Sequence, residues 1–203
     1  MTVDAASAQP LLLLDVDGPL NPYAAKPSRR PRGYETHRLL TPRWVAAERL
    51  RLSAWGTPNK RPKPLRVWLN PDHGPELASL PFDLVWATTW EEEANAYVAP
   101  VLGLPELPVI TWSAPRPEPD GGVFWKTPEI VAWASGRPFA WLDDEITQAD
   151  RDWVAVHHAG PALLHRVDPR LGLLPEDFTV LHAWASGLAA GGGVSSRLPT
   201  QQA

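Results

Sequence analysis

Leu11-Leu12-Leu13-Leu14-Asp15-Val16-Asp17-Gly18 is the stretch on which the fold turns, and Pro19-Leu20-Asn21-Pro22 follows it directly. Four leucines closed by two carboxylates and a glycine describe a strand buried on both faces, as the interior of a parallel sheet requires. In an open α/β sheet the ligand crevice lies beyond the carboxyl ends of the strands, so Asp15 is expected at that rim. Two carboxylates one residue apart can divide two tasks, one attacking or binding metal while the other moves protons. A strand that merely ends in an acidic turn would read the same way, because Asp and Gly favour turns. The downstream partners decide between these readings.

Outward from that strand, Tyr23 to Arg32 is rich in Pro and Arg and reads as a loop or flap. Gly33 to Leu40 reads as a short strand. Thr41-Pro42 supplies an N-cap and a first-turn proline for a helix reaching Trp55. Leu65–Leu69 reads as a strand and Asp72–Leu80 as a short helix. Phe82 to Ala87 is a second strongly strand-like run, ending at Thr88-Thr89, and Glu91 to Leu102 is expected as one helix. Pro108 to Trp112 reads as a further strand. Lys126-Thr127-Pro128 opens a helix to about Ser135, with Thr127 as cap. Phe139-Ala140-Trp141-Leu142 is a strand running into Asp143-Asp144. Thr147 and Asp150 form a capping-box start for a helix to about His158. Ala162–Val167 is the last strand and Pro175–Leu188 the last helix. Strands alternating with helices predict an α/β, doubly wound parallel sheet. The expected domain is 1–190, with a flap or cap insertion over 21–66 and a disordered tail over 191–203.

At 203 residues, with 44% apolar and 21% charged residues, the composition is that of a globular domain with a proper core. The absence of cysteine excludes disulfides, thiolate catalysis and cysteine-held metals. Met1 to Pro10 carries no basic residue and the leucine run is only four long, so no signal peptide, no membrane span and a cytoplasmic location are expected. The net charge of −4 hides a split. Residues 26–66 hold 12 of the 19 Lys and Arg and only Glu35 and Glu48 against them, a net +10, while the remainder carries −14. Such an asymmetry suggests that one region faces an anion.

The polar residues at the expected strand ends form a set: Asp15 and Asp17, Thr88 and Thr89, Asp143 and Asp144, with Lys126 at the opening of a helix. On one rim, clustered carboxylates call for a cation, and all-oxygen ligands suit Mg²⁺. A hydroxyl and an ammonium beside it are what a phosphoryl group needs. In this order and placement, over roughly 11–150, the motifs resemble the haloacid dehalogenase-like hydrolase superfamily, chiefly phosphatases with a Rossmann-like core. Asp-Val-Asp-Gly-Pro-Leu-Asn-Pro and Val-Trp-Ala-Thr-Thr-Trp look most like a small bacterial subgroup, some members of which accompany RNA-repair modules.

The resemblance implies roles residue by residue. Asp15 is the nucleophile and a metal ligand, and Asp17 the general acid and base. Thr88 or Thr89, together with Lys126, holds the phosphoryl oxygens. The metal set is Asp15, Asp17, Asp143 and Asp144, the division between the last two being open. The implied activity is a Mg²⁺-dependent phosphatase acting through an aspartyl-phosphate on a phosphorylated substrate. An open site beside the basic segment could take a nucleotide or a nucleic-acid end. The alternative is a nucleic-acid-associated or protein-binding module of the same fold with little turnover. Trp90 and Trp125, next to Thr88 and Lys126, are expected to shape the pocket. The histidines, including His37 and His73, receive no role.

Overall fold

The computed structural model describes residues 9–116 and 119–191. Its centre is a four-stranded, all-parallel sheet in the order β4-β1-β5-β6, formed by β1 (Leu11–Leu14), β4 (Asp83–Trp86), β5 (Phe139–Asp143) and β6 (Ala162–Arg166). The leucine run is the inner strand, in register Leu14↔Trp86 on one side and Leu14↔Leu142 on the other. Its alternation explains why it must be apolar throughout. Leu12 and Leu14 pack with helices α2 (His73–Ser79), α3 (Glu92–Tyr97), α4 (Ala99–Leu102) and α7 (Pro175–Gly191). Leu11 and Leu13 pack on the opposite face with α5 (Lys126–Ala134) and α6 (Gln148–His157). Both faces are covered, as a parallel sheet requires. No helix among the described residues is long and apolar enough to cross a membrane.

The basic insertion builds a second layer of its own. β2 (Glu35–Leu39) and β3 (Leu65–Leu69) pair antiparallel, with α1 (Pro42–Ala54) between them in sequence. The Thr41 hydroxyl accepts a hydrogen bond from the Trp44 amide and caps α1. The pairing runs past residue 66, because Val67 and Leu69 are fully buried in the main core.

Four expectations need correction. Pro108 to Trp112 makes one bridge, Trp86 to Val109, and no strand; Pro105 and Pro108 lack the amide donors that a ladder needs. The helix expected over 91–102 breaks into α3 and α4, where Pro100 cannot donate to the preceding turn. Thr127 is not a cap but sits inside α5, its hydroxyl donating to Asp150 Oδ1 at 2.7 Å. Leu65–Leu69 is a strand, as read, but belongs to the small antiparallel sheet. The tail expected over 191–203 lies outside the described residues except for Gly191, which closes α7.

Candidate active site

The carboxyl ends of three adjacent strands carry the site. Asp15 follows β1, Asp143 ends β5 beside it, and Thr88-Thr89 follow β4 on the other flank. The Asp15 amide donates to Leu142 O at 3.0 Å and the Ala87 amide to Leu14 O at 2.8 Å, so sheet pairing reaches the site itself. Gly18 then turns the chain with φ +95°. A Cβ there would lie 2.6 Å from Asp144 Oδ1, so the glycine admits Asp144 to the cluster.

Lys126, at the start of α5, is only 2% exposed. Its Nζ donates to Asp15 Oδ2 and to Asp143 Oδ2, each at 2.8 Å. The rings of Phe124, Trp112 and Trp125 surround the ammonium at 5.3–6.0 Å. Burial works against the lysine's charge, but Asp15 and Asp143 outweigh it and hold the Lys126 pKa above its ordinary value. Asp143 has no exposed surface. Burial first, and the neighbouring Asp15 second, push its carboxyl up to about 8 against the pull of Lys126. Burial likewise raises Asp144, whose Oδ2 accepts from the Tyr23 hydroxyl at 3.0 Å.

Asp15, Asp143 and Asp144 each offer an oxygen within 4.8 Å of the others. Three buried carboxylates face a single lysine ammonium, an arrangement that calls for a bound proton or a further cation, and its donors are all oxygen. This set could hold a hard divalent cation. Asp17 stands apart from it. Its Oδ1 accepts from Asn21 Nδ2 at 2.7 Å and its Oδ2 from Trp90 Nε1 at 2.9 Å. Burial, then the charge of Asp15, raises the Asp17 pKa.

A cavity of about 310 Å³ opens on this cluster, with Asp15, Asp17, Lys126 and Asp144 in its wall and Thr89, Tyr23, Arg116, Trp125 and Glu145 around them. Of the two threonines, Thr89 lines the cavity, whereas Thr88 has no exposed surface and its hydroxyl accepts from the Trp90 amide at 3.3 Å. Trp90 and Trp125 do border the site, Trp90 by holding Asp17. His73 lies elsewhere, edge-on to Tyr34 and tilted against Phe178.

Asn21, Tyr23, Arg116 and Glu145 are at the site without having been singled out by sequence. Asn21 is the most informative of them. While its Nδ2 holds Asp17, its Oδ1 accepts from the Trp68 amide at 3.0 Å, which ties β3 of the basic insertion to the acid. Its place four residues after Asp17 in the first motif was the available signal. Comparison with known proteins gives no family, for no family model, curated protein or solved structure matches the chain.

Proposed function

We propose that this chain is a Mg²⁺-dependent phosphomonoesterase of the haloacid dehalogenase type, with Asp15 as nucleophile and Asp17 as general acid and base. The observation that carries the reading is the buried Lys126, bridging Asp15 and Asp143 at 2.8 Å each on the wall of a cavity that Asp17 also reaches. Ordinary stability gains little from two buried carboxylates on one buried ammonium. A transferring phosphoryl group needs this combination of a fixed anion, a fixed cation and a nearby proton carrier.

Asp15, Asp143 and Asp144 are the residues that would hold Mg²⁺, which, when bound, neutralises the negative charge of nucleophile and phosphoryl group. The chain's own groups do the rest. The amide of Val16 donates to Asp15 Oδ1 at 2.7 Å and Lys126 to Oδ2, which fixes the carboxylate's orientation. An Asp15 oxygen attacks phosphorus, the bond to the ester oxygen breaks with its electron pair, and Asp17 gives that oxygen its proton. The carboxylate left on Asp17 then takes a proton from water as the water oxygen attacks the aspartyl-phosphate. The phosphorus bond to Asp15 breaks, and inorganic phosphate leaves. The raised pKa of Asp17 suits the first step, because it keeps the carboxyl protonated at higher pH than an ordinary aspartate. Lys126 and Thr89, both on the cavity wall, would bind the phosphoryl oxygens.

The test is a phosphate-release screen over nucleotides, sugar phosphates and 3′- or 5′-phosphorylated oligonucleotides, with and without Mg²⁺. Release that requires Mg²⁺ is expected from at least one class. A folded protein inert toward all of them would contradict the proposal and favour the binding-module reading.

A further inference from the structure

A second cavity, of about 390 Å³, adjoins the first and shares Asp17, Tyr23 and Thr89 with it. This places a pocket of ligand size on the far side of the proposed proton donor. The geometry of the proposed reaction gives that pocket its content. The phosphoryl group must lie against Asp15 and Lys126, and the ester oxygen against Asp17, so the body of the leaving group extends beyond Asp17.

The pocket is built largely by the insertion. Trp44 and Ala47 come from α1 and Leu65 from β3, and Trp90 completes an apolar wall. Among the described residues no aromatic ring stacks on Trp44 or Trp90. Both indole nitrogens are already spent, Trp44 Nε1 on Lys63 O at 2.7 Å and Trp90 Nε1 on Asp17. What the indoles offer a ligand is therefore ring surface, chiefly that of the half-buried Trp44, over which Arg51 also lies at 5.4 Å, while Trp90 is 7% exposed and shows only an edge of the wall.

The charges at the rim are also largely satisfied. Arg43 NH1 donates to Thr89 O at 2.9 Å and pairs with Glu91 at 3.0 Å, while the Arg43 amide donates to Glu93 Oε1 at 2.8 Å. Arg66 lies over the Trp68 ring at 4.1 Å. A second phosphate seated inside the pocket itself would meet Glu93, with Arg66 the one lining cation outside these pairs to balance it. A flat, uncharged group in that place meets no such cost, and stacking on aromatic side chains is what a nucleic-acid base accepts whatever its identity.

Resting on the phosphatase reading above, we infer that the substrate is a nucleotidyl phosphomonoester whose base lies in the Trp44–Trp90 pocket, as a free nucleoside monophosphate or as the phosphorylated end of a chain. The insertion is then the specificity element of the site. It is linked to the proton donor through Asn21, which holds both Asp17 and the Trp68 amide.

The experiment compares kcat/KM for nucleoside 3′- and 5′-monophosphates, terminally phosphorylated oligonucleotides and glycerol phosphate in wild type, Trp44→Ala, Trp44→Phe and Ala47→Trp. Wild type should prefer the nucleotidyl substrates. Trp44→Ala should lower the ratio of nucleotidyl to glycerol phosphate turnover roughly tenfold or more, through KM, with Trp44→Phe restoring much of it. Ala47→Trp, which fills the pocket from the exposed side of α1, should lower the same ratio should Trp44→Ala fail to fold. Faster turnover of the oligonucleotide than of the mononucleotides would identify the chain end as the source of the base, and the reverse the free nucleotide. Hydrolysis of glycerol phosphate with no preference for nucleotidyl substrates, or a ratio unmoved by these variants, would overturn the inference and leave the phosphatase reading intact. A wild type inert toward glycerol phosphate and nucleotides alike would remove both.

Discussion

Lys126 is a costly residue to bury, and its surroundings show what offsets the cost. The ammonium is held by Asp15 and Asp143 and ringed by Phe124, Trp112 and Trp125. Well-packed apolar residues in such places are often as stable, so the ion cluster is weak support for the fold. His73 is the contrasting case of a buried titratable group with a structural role. It is 5% exposed and makes no hydrogen bond through Nδ1 among the described residues. Burial lowers its pKa to about 4, with Asp72 and Asp177 opposing the shift. The native state therefore resists protonation that the unfolded chain accepts below about 6.5. The stability contributed by the neutral ring is complete above that pH and is lost as pH falls toward about 4, by roughly 3 kcal/mol in all. Urea unfolding of wild type and His73→Gln across this interval should show a flatter dependence in the variant. Parallel curves would mean that His73 is not the group responsible.

At the scale of elements, α6 matters to the site through Asp150, although the sequence suggests only a cap. The carboxylate does form the capping box, its Oδ2 accepting from the Thr147 amide at 2.8 Å and hydroxyl at 2.7 Å. Its Oδ1 accepts from the Phe124 amide and the Thr127 hydroxyl, both at 2.7 Å, and so anchors the residues on either side of Trp125 and Lys126. Asp150→Ala removes four hydrogen bonds to a fully buried carboxylate and should cost roughly 3 kcal/mol or more in chemical denaturation. Phosphate release at a temperature where the variant is still folded should fall as well, because Lys126 loses its support. Wild-type stability would contradict this account. The same comparison shows what a sequence can and cannot convey. β1, β4 and β5 are legible because each is an apolar run ending in polar residues, and the two faces of a buried sheet impose that pattern. The cap Thr147–Asp150 is legible because it is local. The second half of Asp150's bonding is not, since it links positions 23 and 26 residues apart. Asn21 receives no role from the sequence for the same reason, its tie to Trp68 spanning 47 residues. Pro108 to Trp112 is apolar enough for a strand, but its sequence does not reveal that the Trp112 indole is spent on Thr88 O.

For the molecule as a whole, the charge split acquires a location. Of the twelve basic side chains between 26 and 66, all but the partly buried Arg66 are exposed, on the layer that borders the second cavity. A polyanion approaching that layer would be drawn toward the site, and the attraction would weaken with salt. The proposed chemistry, however, turns on one atom pair, an Asp15 oxygen and a phosphorus. The most direct measurement mixes the protein with a phosphate-labelled monoester that it turns over and Mg²⁺, quenches in acid and locates the label after digestion. Label is expected on the peptide containing Asp15, and neither label nor phosphate release in Asp15→Asn. Steady phosphate release by Asp15→Asn at the wild-type rate, or label on a peptide without Asp15, would contradict it.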